Sequence, residues 1–328
     1  MSGSGSRSDS DFYSGLINHT PEAPVRRINV RREAIHVPLP TLSAATITQE
    51  ASGFRLLKIR PNGDSHSPIH GDLTRWRIAD APDFHAISYA PGSGTAVCHV
   101  ILGEANIEFA VTRHVWEVLR RMRHATAVVY VWVDVLCIDQ ANRLERISQV
   151  ANLRQVYSRA LTVRIWLGEE KRLTDGASEI DLDEALFASL AKQREPWWKQ
   201  LWALQNCAYA RTCPVVMLGP LKIGLDDFIM RWAAAMESLK SKTSPQEKQF
   251  LTHLRMRESL AHIQAPLELW RVRKTGNQPR KPLLYRLRET YWRQCSEPRD
   301  IIFALLDLVD EEEANKFLPD YSISFEDL

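Results

Sequence analysis

The sequence predicts an α/β protein: a parallel sheet flanked by helices, with an N-terminal β extension and a mostly helical C-terminal part. Three observations predict it. An apolar run from Val128 to Asp134 passes through the polar loop Cys137-Ile138-Asp139-Gln140, enters a helical pattern and returns as Thr162 to Leu167. That is the strand–loop–helix–strand unit of a buried parallel sheet. Short strand patterns bounded by Pro, Gly and Asn precede it between Phe54 and Val111. From Leu225 onward the apolar spacing turns helical, over 225–240, 246–264, 283–294 and 298–309.

Each element has its own reason. Residues 1–33 are Ser/Gly-rich and then basic (Arg26, Arg27, Arg31, Arg32), the composition of a disordered segment. Phe54 to Ile59 reads as a strand, followed by a Pro/Gly/His/Ser loop from Pro61 to Gly71. His85 to Tyr89 is a strand stopped by Pro91-Gly92-Ser93-Gly94. Val97–Leu102 and Ile107–Val111 flank Gly103-Glu104-Ala105-Asn106 and read as a hairpin. Thr112 is the expected N-cap of a helix from Arg113 to about Arg123.

Asn142 and Glu145 stand at capping-box spacing. Ile147, Val150, Leu153, Tyr157 and Ala160 then mark the helix face toward the sheet. Residues 169–195 are acidic and irregular, an insertion. Pro196 fits the first turn of a helix carrying Trp198, Leu201, Trp202, Gln205 and Tyr209 on one side, and Pro214 to Leu218 is a further strand. Trp132 and Trp166 are expected on buried strands at most one strand apart. The division is thus a segment 1–33, a core 34–220 with the insertion 169–195, and a helical part 221–328.

Composition narrows the class. An apolar fraction of 45% and a charged fraction of 25% are those of a soluble globular protein. No run of about 18 apolar residues offers a membrane span. The N-terminus, MSGSGSRSDSDF, has no apolar signal region, so a cytoplasmic location is expected. The 5 Cys form no CxxC pair, which favours free thiols. A formal net charge of +2 implies no particular partner.

Several motifs have competing readings. Gly92-Ser93-Gly94 could form an anion-binding nest, but without the Lys-Ser/Thr of a P-loop an ordinary turn is favoured. His66 and His70 flank Pro68, against a helical metal site. Cys137 follows a buried strand and reads as packed rather than reactive. Trp197, Trp198 and Trp202 read as core. Arg271, Arg273, Lys274, Arg280, Lys281, Arg286, Arg288, Arg293 and Arg299 oppose only Glu289 and Glu297. A solvated helical face is favoured there over a nucleic-acid surface, because no binding motif accompanies the charge.

His85-Ala86-Ile87-Ser88-Tyr89, Trp132-Val133-Asp134 and Cys137-Ile138-Asp139-Gln140 together resemble the fungal heterokaryon-incompatibility (HET) domain. So do Glu145-Arg146, Gln149-Val150, Tyr157, Trp166-Leu167-Gly168 and Trp202-Ala203-Leu204-Gln205. Glu297-Pro298-Arg299-Asp300, Phe303-Ala304-Leu305-Leu306 and Asp320-Tyr321-Ser322 extend the resemblance over most of 54–328. HET domains look like distant relatives of Toll/interleukin-receptor (TIR) domains. The resemblance therefore implies a TIR/flavodoxin-like sheet, self/non-self recognition and programmed cell death. It also implies self-association or binding to other death-signalling proteins, with NAD as a possible ligand or substrate and no cofactor required.

Two departures bear on chemistry. The family's Ser-Tyr-x-Trp-Gly is here Ser88-Tyr89-Ala90-Pro91-Gly92, without the Trp. Its Trp-x-x-Gln is usually followed by Glu, whereas Gln205 is followed by Asn206. By analogy with TIR enzymes, Asn206 occupies the position of the catalytic carboxylate. Breaking the nicotinamide–ribose bond develops positive charge on the sugar, which a carboxylate stabilises and an amide does not. A lost partner of this kind costs about 10²–10⁴ in rate. Glu145 is the substitute carboxylate in the signature block, against its reading as half of a capping box. Ser88, Tyr89, Gly92, Asp134 and Trp202 are the residues expected around a bound nucleotide. The resulting expectation is a signalling and assembly domain with impaired NAD cleavage. The alternatives are an active NAD glycohydrolase and a basic nucleic-acid-binding module.

Overall fold

A computed structural model describes residues 53–64, 66–90, 98–170, 196–242, 256–275, 280–295, 297–306 and 308–317. All of them fall within one compact unit, Val37–Leu328. The segment 1–33, most of the insertion (171–195) and Gly92 lie outside the described residues.

The strands are β1 Gly53–Ile59, β2 Ile69–Arg77, β3 His85–Tyr89, β4 Cys98–Leu102, β5 Ile107–Val111, β6 Val129–Trp132, β7 Thr162–Gly168, β8 Val215–Leu218 and β9 Leu221–Gly224. The helices are α1 Arg113–Met122, α2 Asp134–Cys137, α3 Arg143–Arg159, α4 Trp202–Tyr209, α5 Leu225–Lys242, α6 Met256–Thr275, α7 Leu283–Thr290, α8 Asp300–Leu306 and α9 Glu311–Ala314. A 3-10 turn, Pro196–Lys199, precedes α4.

The strands form one sheet in the order β5-β4-β2-β1-β6-β3-β7-β8-β9. Its centre, β6-β3-β7-β8, is parallel throughout. On one side β1 joins antiparallel to β6 and β2; at the other, β8 and β9 close as an antiparallel hairpin. In chain order the four parallel strands stand second, first, third, fourth. The chain path therefore reverses between β3 and β7, the place where open α/β sheets hold ligands at their carboxyl edge. Trp132 on β6 and Trp166 on β7 are separated by β3 alone, as their apolar flanks predict.

Period-two alternation sends β-strand side chains to two cores. On one face Leu57, Ile59, Ile87, Val131 and Trp166 pack against Val115, Val118, Leu119 and Met122 of α1. On the other, Phe54, Ala86, Trp132 and Val163 pack against Val156, Tyr157 and Ala160 of α3. The same face continues through Ile165, Leu167, Val216 and Leu218 to Trp197, Trp198, α4 and α5. Residues Leu225, Phe228, Trp232 and Leu267 belong to this cluster, so the core runs across residue 220 into the helical part. A separate cluster joins Leu201, Leu204 and Ala208 of the α4 region to Leu283, Ala304, Leu305 and Val309.

The local signals for α1 operate as read. Thr112 caps it, its hydroxyl accepting from the Val115 amide at 3.3 Å. Elsewhere the structure corrects the sequence reading. The loop after β1 ends at Pro68, and Ile69–Arg77 is a nine-residue strand whose polar content, Gly-Asp-Leu-Thr-Arg, hid it. Gly71 lets three strands approach there: a Cβ would sit 2.9 Å from the Lys58 carbonyl oxygen. β6 stops at Trp132, and Asp134 opens the one-turn helix α2 rather than ending a strand. The helix expected from Pro196 is a 3-10 turn and a separate α4, broken at Gln200–Leu201 by pairing with the C-terminal part. β9 was not anticipated, because Leu221-Lys222-Ile223-Gly224 is too short to show a period. The helix read at 246–264 runs from Met256 to Thr275 in the described residues, and those read at 283–294 and 298–309 end earlier, at Thr290 and Leu306.

Candidate functional site

Ser88 and Tyr89 close β3 at the carboxyl edge of the parallel strands, and alternation sends their side chains to opposite faces. Ser88 is 1% exposed. Its hydroxyl oxygen accepts two hydrogen bonds, from Trp197 Nε1 and from Asn206 Nδ2, each 2.8 Å. The expected catalytic position and the first motif thus meet directly, through an amide rather than a carboxylate. Asn206 is half-buried, so its amide neither carries charge nor is sealed from a ligand.

Tyr89 lies on the α1 face. Its hydroxyl donates to Asp134 Oδ1 at 2.7 Å. The same oxygen accepts from the Val135 amide at 2.7 Å, in the first turn of α2. Gln140 Nε2 donates to the Asp134 carbonyl at 3.0 Å and pins the following loop. His114, in the first turn of α1, stands with its ring 6.3 Å from that of Tyr89 and 5.9 Å from that of Trp166. Burial lowers the pKa of the imidazole, so it is neutral at pH 7. Gly168 leaves β7 at φ 118°, against the His114 ring. Glu169 then binds Arg121 through both oxygens at 2.8 Å and Arg120 at 3.2 Å, clamping the end of β7 to α1.

The α4 helix that presents Asn206 is fixed from outside the sheet. Trp202 Nε1 donates to Asp300 Oδ2 at 2.9 Å, so Trp202 faces the C-terminal part rather than Ser88. The buried Arg293 donates to the carbonyls of Trp198 at 3.0 Å and Gln200 at 3.3 Å. Burial pushes its pKa down to about 9. Gln294 donates its amide to Lys199 at 2.6 Å and accepts from the Leu201 amide at 2.9 Å.

Glu145 lies in a third place. Asn142 does cap α3, accepting from the Glu145 amide at 3.1 Å. The reciprocal half of the capping box is absent: the Glu145 carboxylate bonds Arg55 of β1 and accepts from the Asp139 amide at 3.0 Å. Arg55 also donates to the Cys137 carbonyl at 3.1 Å. Glu145 therefore staples the loop after α2 to the sheet. Arg299 pairs with Glu297 at 2.7 Å.

The other motifs resolve similarly. Cys137 is buried, and burial raises its thiol to about 12. Among the described residues no group of three or more His, Cys, Asp or Glu could hold a metal. The basic stretch is largely consumed internally: Arg280 and Arg286 bond the carbonyls of Val309 and Leu308, and Lys281 pairs with Glu289. Three participants escaped the sequence reading: His114, the Trp197 indole and Arg293. A His one residue inside a helix N-terminus at a strand edge was the only available signal.

Residues 84–200 match the family model described as heterokaryon incompatibility protein (HET). Those residues are similar to a HET domain. The match takes in β3, β6, β7 and both sides of the carboxyl edge, and ends at the Gln200 bridge to the C-terminal part. A curated relative, "Heterokaryon incompatibility protein 6, OR allele" of Neurospora crassa, is 24% identical over 152 residues. That covers 42% of this chain and 22% of the relative, so the chain spans about a fifth of the relative's length. No solved structure matches the chain. Among the described residues no helix is long and apolar enough to cross a membrane.

Proposed function

We propose that this chain acts in heterokaryon incompatibility, as a self/non-self signalling and assembly domain whose output is cell death. The HET match at 84–200 carries the reading. The order of the four parallel strands supports a flavodoxin-like and hence TIR-like core. In this reading NAD or a related nucleotide binds at the carboxyl edge, near Ser88, Tyr89, Asp134 and Asn206, and the protein works in the cytoplasm.

Cleavage of that nucleotide is impaired. Asn206 donates to Ser88 Oγ where relatives carry a carboxylate. Glu145 is engaged by Arg55 and the Asp139 amide, which favours its structural role over a catalytic one. Trp202 serves by holding α4 on Asp300.

Nicotinamide release from NAD tests the chemistry in wild type, Asn206→Glu and Glu145→Ala. Slow or absent turnover in wild type and a gain in Asn206→Glu are expected. Robust wild-type turnover that vanishes in Glu145→Ala would install Glu145 as the catalytic group. Light scattering over a wide concentration range tests assembly; a strict monomer, with cell death independent of expression level, removes it.

A further inference from the structure

We propose that Asp134 and His114, with Tyr89 between them, form a subsite for a vicinal diol, the ribose of a nucleotide. This rests on the nucleotide reading above and assigns the sugar to particular side chains. The three residues come from different elements and meet where the chain path reverses between β3 and β7. All three are half-buried, so a ligand can reach them and water is partly excluded.

The chemistry at the subsite is one of acceptors. Asp134 commits Oδ1 to the Tyr89 hydroxyl and the Val135 amide. Its Oδ2 takes no hydrogen bond from the described residues. Burial keeps His114 a neutral imidazole, and a neutral imidazole has one acceptor nitrogen. A ligand must therefore bring at least two donors on neighbouring atoms. Two adjacent hydroxyls do so: one to Asp134 Oδ2, as a charge-assisted bond, the other to the His114 nitrogen. A metal ion is disfavoured, since no third ligating side chain joins them among the described residues.

The experiment is calorimetric binding of adenosine 5′-monophosphate and its 2′,3′-dideoxy counterpart to wild type, Asp134→Asn, His114→Phe and, as a remote control, Arg288→Ala. Wild type and Arg288→Ala should bind the ribonucleotide about tenfold or more tightly than the dideoxy compound. Asp134→Asn should lose most of that preference, and His114→Phe part of it. Circular dichroism confirms that each variant is folded. Binding in wild type without any preference for the ribose, or a preference that survives Asp134→Asn in a folded protein, overturns the diol subsite alone. A wild type that binds neither nucleotide overturns the nucleotide reading and the subsite with it.

Discussion

The two faces of the sheet are held in different ways. The α1 face is held chiefly by contiguous apolar contact, Val115, Val118, Leu119 and Met122 on Leu57, Ile87, Val131 and Trp166, with the half-buried Glu169 ion pairs to Arg120 and Arg121 at its rim. The α4 face combines apolar packing with polar bonds that reach far along the chain: Ser88 to Trp197 and Asn206, Trp202 to Asp300, Arg293 to Trp198 and Gln200. Apolar contact is non-directional and forgiving of angle. Buried hydrogen bonds fix orientation, and they are costly when half-made. The comparison teaches that α1 anchors the scaffold while α4 is a positioned element.

Core truncation should hit both faces hardest and about equally. Trp132 and Trp166 are 2% and 0% exposed, on opposite faces, and Trp132 meets Tyr157 edge-on at 5.5 Å. Each Trp→Ala change should cost about 3–5 kcal/mol in urea unfolding. A Trp132→Ala protein that melts within about a degree of wild type would mean that the sheet is wrongly built.

The polar contrast should separate the faces next. Ser88→Ala leaves the Trp197 N–H and the Asn206 amide without their acceptor beside a buried position, and should cost about 1–3 kcal/mol. Tyr89→Phe removes one bond to a half-buried Asp134 that water can reach, and should cost about 1 kcal/mol or less. Equal losses in the two variants would erase the distinction between the faces.

Acid should sharpen it further. His85, at the opening of β3, has its pKa lowered to about 4, first by burial and then by Arg164 and Lys222, with Asp83 opposing. His114 is lowered by burial. Both imidazoles fold in the neutral form, while the unfolded chain takes up protons near its ordinary value of about 6.5. Stability should thus fall as pH drops from about 6.5 toward 4. His85→Gln should flatten the dependence of the urea midpoint in that window; an unchanged slope would show that His85 is not desolvated.

The smallest effect concerns Glu145. Glu145→Gln keeps an acceptor for the Asp139 amide and loses only a partly exposed ion pair with Arg55. It should cost under about 1 kcal/mol, whereas Glu145→Ala should cost more because the Asp139 amide loses its partner. Matching melting curves for the two variants would remove the loop-staple role.

What the sequence made legible was local. β3, the β4–β5 hairpin, the Thr112 cap and the pairing distance of the two tryptophans follow from turn residues, alternation and apolar flanks within a few positions. β2 was hidden because a strand paired on both sides can carry Gly71, Asp72 and Arg75 when the partner strands supply the burial. The break at Gln200 was hidden because its cause, Gln294, lies far along the chain. The site divides in the same way. Asn206 was marked by motif, and its contact with Ser88 follows from the fold. The standing of Glu145 depended on Arg55, which carries no motif.

The bridge between Gln200 and Gln294 also orders events in time. A ribosome delivers β3 and Ser88 about two hundred residues before it delivers Arg293 and Gln294. Until those arrive, the 3-10 turn and α4 lack the backbone partners that set their angle, and the Asn206 amide has no fixed approach to Ser88. The carboxyl edge is therefore completed late, after the strands that form it. A nascent chain that has passed Gly224 but not reached Arg293 would hold all nine described strands and lack the finished site.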